Sequence, residues 1–547
     1  MTELAAGMRT ESGSRASAVV LSAAMLLALG AYLLRLDRVA GLVVDDAWYV
    51  LLGRALARGE GYRLVSSATT AIMPVVPPGF PAILSLIFRV GPDFPQNVLL
   101  LKAVSIAAMM AAGLLTYRYF SLDRRLPWTM AVAIALATLL TPGLVFLATS
   151  TVMAESTFIA AQLLTLVVIE AAARSGDDPA GRRITVVAAI LSAATMLVRS
   201  TGLAVIAAGV CYLLLERRFM RAALFAAVTL VSLLPWTLYA RAHEPSQAER
   251  LAHGGTIAVA YSDAMRMRTA GNPQSGRATL GELPARAWAG LINVFGRDMG
   301  GVFVPSFLRT ADESGEEVVA LGGSGSAAGS MGSATAPMII SFALSAIALL
   351  GYASTVRTRL MVAELLVPIS LAMAIAVPFQ TFRYVLPLAP FLYFYLLEGV
   401  RGIAAWCAHA MGTVRLDPSR VVRVVILCLI GFQLLDHAQY IYDAHTADKS
   451  EALDWVGDAR EIDALFAWMK QNLPAEGAVA TTNPALVYLA TGRKTLAIDQ
   501  YQDNWRRWKA GGVRYAVALR PVPLPEMPAV FKVLYQSSRR KLWVIEM

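Results

Sequence analysis

Six ionisable residues in this chain stand where charge is rare, beside long apolar runs. Asp45 and Asp46 open the first polar segment, VVDDAWYVLLGRALARGEGY. Lys102 interrupts LLLKAVSI, Glu155 lies in STVMAESTF, Arg199 in LVRSTG and Arg383 in FQTFRYVLPLAPF. A carboxylate among cations could take a proton from a hydroxyl while the cations hold a phosphate, which is general-base catalysis joined to charge stabilisation. Each residue also has a plainer reading. Asp45 or Asp46 would cap a helix starting near Ala47, and Lys102 or Arg383 would reach a membrane surface along its alkyl stem. Glu155 is harder to dismiss, because a short acid cannot reach out in that way.

The elements that must carry these residues are membrane spans. The chain has 547 residues, of which 57% are hydrophobic and only 16% charged, against about 25% charged in soluble domains. About eleven runs are candidates for crossing a bilayer: Ala16–Leu34, Asn97–Tyr117, Trp128–Leu147, Thr151–Ala173, Ile184–Val198, Thr201–Leu215, Ala222–Ala240, Met338–Thr355, Leu360–Phe379, Tyr384–Val400 and Val421–Leu435. The first is expected to stay as a span, since no small-x-small cleavage site follows it and many spans come after. The runs between 184 and 215 are short. Fifteen helical residues reach about 22 Å, less than the roughly 30 Å hydrocarbon core, so a re-entrant pair is an alternative there. Arg199 between them would need a wet cavity or a partner.

Basic residues in short loops set the orientation. With the N-terminus inside, every inside loop is basic: Arg9 and Arg15, Arg118 to Arg125, Arg174 to Arg183, Arg217 to Arg221, Arg357 and Arg359, and Arg401 to Arg423. The net charge of +10 then reflects topology. No basic stretch interleaved with aromatics suggests a nucleic-acid surface, so no nucleic-acid partner is expected. All six residues fall on the outer side. The outer segments are 35–96, 241–337 and 436–547. The expected location is the cell's inner (plasma) membrane, multi-pass, with membrane lipids around it and these residues facing away from the cytoplasm.

The chain divides into a membrane part, 1–439, and a small outer α/β domain, 440–547. The second part alternates helix and strand patterns: helices over Ile462–Asn472 and Pro484–Ala490, strands over Ala478–Thr481, Thr495–Ile498, Arg514–Leu519, Phe531–Tyr535 and Leu542–Ile545. In the middle outer segment, Trp288–Phe307 reads as an interfacial helix followed by a mobile turn, and Ala320–Ala336, rich in Gly, Ser and Ala, as a disordered lid or linker. Three cysteines, Cys211, Cys407 and Cys428, lie in or beside apolar runs and build no outer disulfide framework. The five histidines show no metal-ligand spacing. The absence of a GxxxxGK[ST] run argues against an ATP-driven transporter.

DDAWY, then GEGY and PPGFPAIL, resembles the D-E-A-x-Y … P-P-L-Y-P arrangement of polyprenyl-phosphate-dependent GT-C glycosyltransferases. These include protein O-mannosyltransferases and lipid A aminoarabinose transferases. The resemblance continues through MAESTF, VRSTGL, LLPWTLYAR and RYVLPLAP, over most of residues 16–400. Two departures stand out: the second acid is Asp46 where Glu is common, and Val76 replaces a basic residue or His before the paired prolines. The resemblance implies a GT-C fold and a hexosyl- or pentosyltransferase acting on an extracytoplasmic lipid, glycan or protein acceptor. Asp45 would be the catalytic acid, acting as base, with Asp46 beside it and Glu155 as the second external acid. Arg383 and Tyr384, with Arg199 or Lys102, would bind the donor and neutralise its leaving phosphate. The donor would be a polyprenyl-phosphate sugar, and inversion at the sugar carbon is implied. No cofactor is expected and no metal ligands are assigned, although Asp45 and Asp46 leave a divalent ion open.

Two other classes fit the composition. A transporter or flippase of lipid-linked saccharides would more readily show internal repeats and charges deep in its spans, of which only Arg199 qualifies. An envelope scaffold gives no reason for acids clustered on one face.

Overall fold

The computed structural model describes residues 2–42, 44–253, 265–268, 276–304, 335–377, 382–411, 417–446, 454–474, 476–498, 504–519, 532–537 and 542–547. The expected Gly/Ser/Ala-rich lid lies almost wholly outside these residues. Among the described residues, ten α-helices run up to Ala242: α1 (Thr2–Arg35), α2 (Val44–Ala57), α3 (Gly79–Val90), α4 (Val98–Arg118), α5 (Trp128–Leu139), α6 (Pro142–Thr149), α7 (Glu155–Arg174), α8 (Pro179–Val198), α9 (Leu203–Leu215) and α10 (Phe219–Ala242). After the middle outer segment come helices Thr335–Thr358, Val362–Ala376, Ala389–Met411 and Pro418–Thr446.

Among the described residues, eight helices are long and apolar enough to cross a membrane, nine if the α5–α6 pair is one broken span. The protein is a multi-pass membrane protein with a C-terminal sheet domain. The expected count of about eleven is corrected downward. Leu203–Leu215 and Val362–Ala376 have only 13 and 15 helical residues, too short for the hydrocarbon core by rise per residue. The α8 run is longer than its apolar stretch suggested, because Pro179 to Arg183 extend it to 20 residues. Pro142 breaks the third run: α5 stops at Leu139 and α6 restarts at an angle of 53°, since proline at a helix's first position cannot continue the preceding one.

Two helices lie between the first span and the second. α2 packs on α3, which packs on α4 and α8; Leu283–Asn293 of the middle segment packs on Val362–Ala376 and runs on without a break into residues 294–303. Of the interfacial helix and turn expected over Trp288–Phe307, residues 288–303 are helix, and 305–307 lie outside the described residues. Small residues set these close approaches. A Cβ on Gly290 would sit 2.4 Å from the Ile375 carbonyl oxygen, and one on Gly351 would meet the Tyr395 carbonyl.

The C-terminal domain has a five-stranded sheet in the order β2-β1-β3-β5-β4: β1 (Ala478–Thr481), β2 (Thr495–Ala497), β3 (Val513–Ala518), β4 (Lys532–Gln536) and β5 (Trp543–Glu546). β1 pairs in parallel with β2 and β3, while β5 runs antiparallel to β3 and β4. The expected strands lie within a residue or two of these. Helix Asn504–Ala510, which sits against β3, carries too little apolar periodicity to be expected from sequence.

Candidate active site

Asp45 reaches its position because α2 starts with two acids. Negative side chains in a first turn are favoured by the helix dipole, and of the two acids only Asp46 accepts a first-turn N–H. Asp46 is buried, at 1% exposure. Its Oδ2 accepts the Gly41 N–H at 2.7 Å and its Oδ1 the Ala47 N–H at 2.8 Å. Burial pushes its carboxyl up to about 7, against the pull of those two N–H groups. Asp45, one residue earlier, points elsewhere. Its Oδ2 accepts from Arg383 Nη2 at 2.7 Å, and its side chain is 30% exposed.

Arg383 enters from a one-turn helix, Phe382–Val385, just before the proline-bearing turn Leu386–Leu388. Its Nε donates to Glu155 Oε1 at 3.0 Å. Glu155 is the first residue of α7 and fully buried. The same Oε1 also pairs with Arg199. Arg199 is the single extended residue between α8 and the turn Ser200–Gly202, at φ −152° and ψ 132°. Gly202 lets that turn fold back: a Cβ there would stand 2.6 Å from the Met196 Cα. The Arg199 guanidinium carbon lies 5.2 Å from the Tyr384 ring centroid, a cation–π distance.

Four of the six expected ionisable residues are therefore one network: Asp45, Arg383, Glu155 and Arg199, with Tyr384 beneath it. Glu155 Oε2 is buried without a hydrogen-bond partner among the described residues, as are the hydroxyls of Ser156, Thr157 and Thr201. Below the network a cavity of about 40 Å³ is lined by Phe158, Gln162, Thr201, Met373 and Tyr384, among others. Buried polar atoms without partners are uncommon in folded proteins and call for an explanation; of these, Thr201 lines the cavity, together with Tyr384 of the network.

Lys102 stands apart. Its ammonium donates to Asp37 Oδ1 at 2.6 Å, the Asp37 carbonyl at 2.9 Å and the Thr149 carbonyl at 2.7 Å. With three acceptors and full burial, it ties the start of the first outer loop to the end of α6. Asp37 Oδ2 in turn accepts from Ser150.

The resembling motifs meet at the same place. The Tyr62 hydroxyl of GEGY donates to the carbonyls of Val76 and Pro77, at 2.8 and 3.0 Å, and its ring meets Trp236 edge-on at 5.6 Å. Gly79 of PPGF lies so close to the end of α8 that a Cβ would be 2.6 Å from the Leu197 carbonyl. Gln162 Nε2 donates to the Pro387 carbonyl at 3.0 Å.

Two contributors escaped the sequence. Asn483 hydrogen-bonds Gly41 across the domain boundary at 2.6 Å, and Gly41 holds Asp46. Asn483-Pro484 is a legible helix start, but nothing in the sequence points from it to residue 41. Among the described residues, no three His, Cys, Asp or Glu side chains gather as a metal site.

No family model matches the sequence, and no curated protein matches it. Solved structures do match in three dimensions. ArnT from Cupriavidus metallidurans bound to undecaprenyl phosphate aligns over 96% of this chain and 97% of its own, at TM-score 0.57 and 13% identity. The oligosaccharyltransferase of Archaeoglobus fulgidus in the apo form aligns over 92% of this chain and 69% of its own, at TM-score 0.55 and 14% identity. The archaeal oligosaccharyltransferase AglB, from the same organism, in complex with an inhibitory peptide and a dolichol-phosphate gives TM-score 0.53 at 13% identity, over 91% and 69% of the two chains. The chain has the GT-C fold. At such identities it is the arrangement of elements that is shared, and the near-complete mutual coverage with ArnT includes the C-terminal domain. The fold implied by the DDAWY and PPGFP motifs is thus the fold observed.

Proposed function

We propose that this protein is a glycosyltransferase that moves a sugar from a polyprenyl-phosphate donor to an extracytoplasmic acceptor, with inversion at the sugar carbon. The observation that carries it is Arg383 bridging two acids, Asp45 and Glu155, in a fold two of whose solved examples hold undecaprenyl phosphate or dolichol-phosphate.

In this reading Asp45 is the general base. It takes the proton of the acceptor hydroxyl as that oxygen attacks the anomeric carbon. The bond from that carbon to the phosphate oxygen breaks, and the bonding electrons leave with the polyprenyl phosphate. Arg383 and Arg199 face the charge that develops on the leaving group. Glu155 carries no proton in the step; it holds the two guanidiniums side by side, where they would otherwise repel. Tyr384 supports Arg199 from below. Asp46 keeps the first turn of α2 in place, and Lys102 does the same for the loop before it. One preorganised donor to a developing anion is typically worth about 3 kcal/mol, roughly a hundredfold in rate. The active face lies outside, opposite the basic loops, so the donor is the lipid-linked sugar and not a nucleotide sugar. No cofactor takes part in this scheme.

The test compares envelope glycans and lipid-linked sugars by mass spectrometry in three strains: gene deleted, restored with wild type, and restored with Asp45→Asn at equal membrane level. The expected result is that the Asp45→Asn strain matches the deletion, losing one sugar and accumulating its lipid-linked donor. General-base removal costs on the order of 10²–10⁴ in rate. Wild-type glycans in that strain would overturn the proposal.

A further inference from the structure

The C-terminal domain touches the segment between the first two spans at several places, and one of them leads to the proposed base. Asn483 Nδ2 donates to the Gly41 carbonyl at 2.6 Å. The Gly41 N–H donates to Asp46 Oδ2 at 2.7 Å. A single residue thus relays the position of one domain to the first turn of α2 in the other. Gly41 sits at φ +90°, open to glycine but strained for other residues, and a Cβ on it would lie 2.6 Å from Leu486 Cδ1.

Asn483 is itself fixed. Its Oδ1 accepts the Leu486 N–H at 3.2 Å, capping helix Pro484–Thr491, and its backbone N–H donates to Thr481 Oγ1 at 3.3 Å. Because Oδ1 faces a backbone donor, the amide nitrogen must be the atom facing Gly41. Two more contacts lie farther along the segment. Thr495 donates to the Ser66 carbonyl at 2.8 Å and accepts from Ala68 at 2.9 Å, so residues 66–68 extend the sheet beyond β2. The Arg54 guanidinium stands over the Tyr488 ring at 4.9 Å. Helix α2 is thereby held at its start, on its flank and beyond its end.

We infer that Asn483 is a positioning residue for Asp45, acting through Gly41 and Asp46, so that the C-terminal domain sets the geometry of the active face. The chemistry assigned to Asp45 rests on the transferase reading above; the contact does not. Losses of about a hundredfold follow from misplacing a reacting group by about 1 Å.

Asn483→Asp isolates the contact. Aspartate caps a helix as well as asparagine does, but it sets a carboxylate oxygen against the Gly41 carbonyl. Two readouts are taken on the full-length protein. Deuterium uptake is followed over residues 40–57 in purified protein, and the transferred sugar is quantified in the restored strain. The expected result is several-fold faster exchange over 40–57, with β1 to β5 unchanged, and a ten- to hundredfold loss of transfer. Lowering the pH, which protonates the new carboxyl and restores a donor, brings the variant back toward wild type. General loosening of the domain would not give that recovery. Asn483→Ser, which keeps a capping oxygen and is too short to reach Gly41, replaces the first variant if that one does not accumulate. Arg514→Ala, on the exposed far side of the sheet, leaves both readouts at wild type.

Unchanged exchange over 40–57 overturns the inference. So does faster exchange with full transfer, which would make the contact a fastening without catalytic consequence. If Asp45→Asn itself retains transfer, the transferase reading fails separately, and the exchange result still decides whether Asn483 positions α2.

Discussion

Two clusters of buried charge sit at opposite ends of the helix bundle, and they treat their carboxylates differently. At one end, Glu364 pairs with Arg124, accepts the Tyr395 hydroxyl at 2.6 Å on the same oxygen, and takes the Met361 N–H at 2.8 Å on the other. Glu170 gives one oxygen to the Val362 N–H and the other to the Tyr212 hydroxyl, at 2.8 and 3.0 Å. Asp123 divides its oxygens between Arg118 and Arg174, at 2.8 and 2.5 Å. Each of these carboxylates uses both oxygens. At the other end, expected from sequence to be the outer one, Glu155 crowds two arginines onto Oε1 and leaves Oε2 buried without a hydrogen bond among the described residues. Asp45 offers one oxygen to Arg383 and is partly open.

The difference separates structural charge from charge kept available. A buried ion pair gains little over apolar packing, but a broken one costs several kcal/mol. An evolved network with every oxygen engaged therefore reads as a clasp between helices. A network that leaves a buried carboxylate oxygen without a hydrogen bond, with a partly open acid and a cavity beside it, reads as charge kept available. Within the outer end the same contrast separates Asp46 from Asp45, and Lys102 from Arg383: the first of each pair is fully engaged by its own chain.

The sharpest way to break this comparison is Glu364→Ala, which leaves Arg124 buried without its carboxylate. The expected cost is about 3–5 kcal/mol of stability, seen as a lower unfolding temperature in detergent, while the protein that folds keeps wild-type transfer. Loss of transfer at full stability would make the Glu364 cluster functional and dissolve the contrast. Arg383→Ala should behave in the opposite way. Transfer is expected to fall about a hundredfold, roughly 3 kcal/mol, with a clear effect on donor use in the restored strain; Glu155 remains paired with Arg199 and limits the loss of stability.

The smallest effect sharpens the Asp45–Asp46 distinction. The Asp46 carboxyl titrates at about 7 in the folded protein because burial favours its neutral form, against about 3.9 in an unfolded chain. A carboxyl raised in this way adds stability that is complete below the unfolded value and is lost as pH rises through the folded one. Stability should fall by about 2 kcal/mol between pH 5 and 7 from this group alone. Thermal unfolding of wild type and Asp46→Asn across that range checks it: the variant's curve should be flatter by that amount. Equal slopes would show that Asp46 is already ionised where it lies.

Much of this molecule is written in one dimension. Apolar run length fixes which segments cross a bilayer, and strict alternation of direction then fixes which ends share a face. That is why Asp45, Lys102, Glu155, Arg199 and Arg383 could be assigned to one side from the basic loops opposite. The strands of the C-terminal domain were legible for a similar reason, since short β-branched and aromatic runs between turn residues have few alternatives. Span counting failed where length was marginal, at Leu203–Leu215 and Val362–Ala376, because composition does not say where a helix stops.

The tertiary structure decided rotation and contact. Sequence spacing puts Asp45 and Asp46 in the same helical turn, about 100° apart. Only packing turns the first toward Arg383 and the second toward Gly41. It also spends Lys102 on Asp37, joins Glu155 to residues 44 and 228 positions away, and brings Asn483 to a loop 442 residues earlier. Hydrophobic patterning specifies which face of an element is buried. It carries no information about which of two polar neighbours meets a partner supplied by a distant part of the chain, and at this site those partners separate the proposed base from its support.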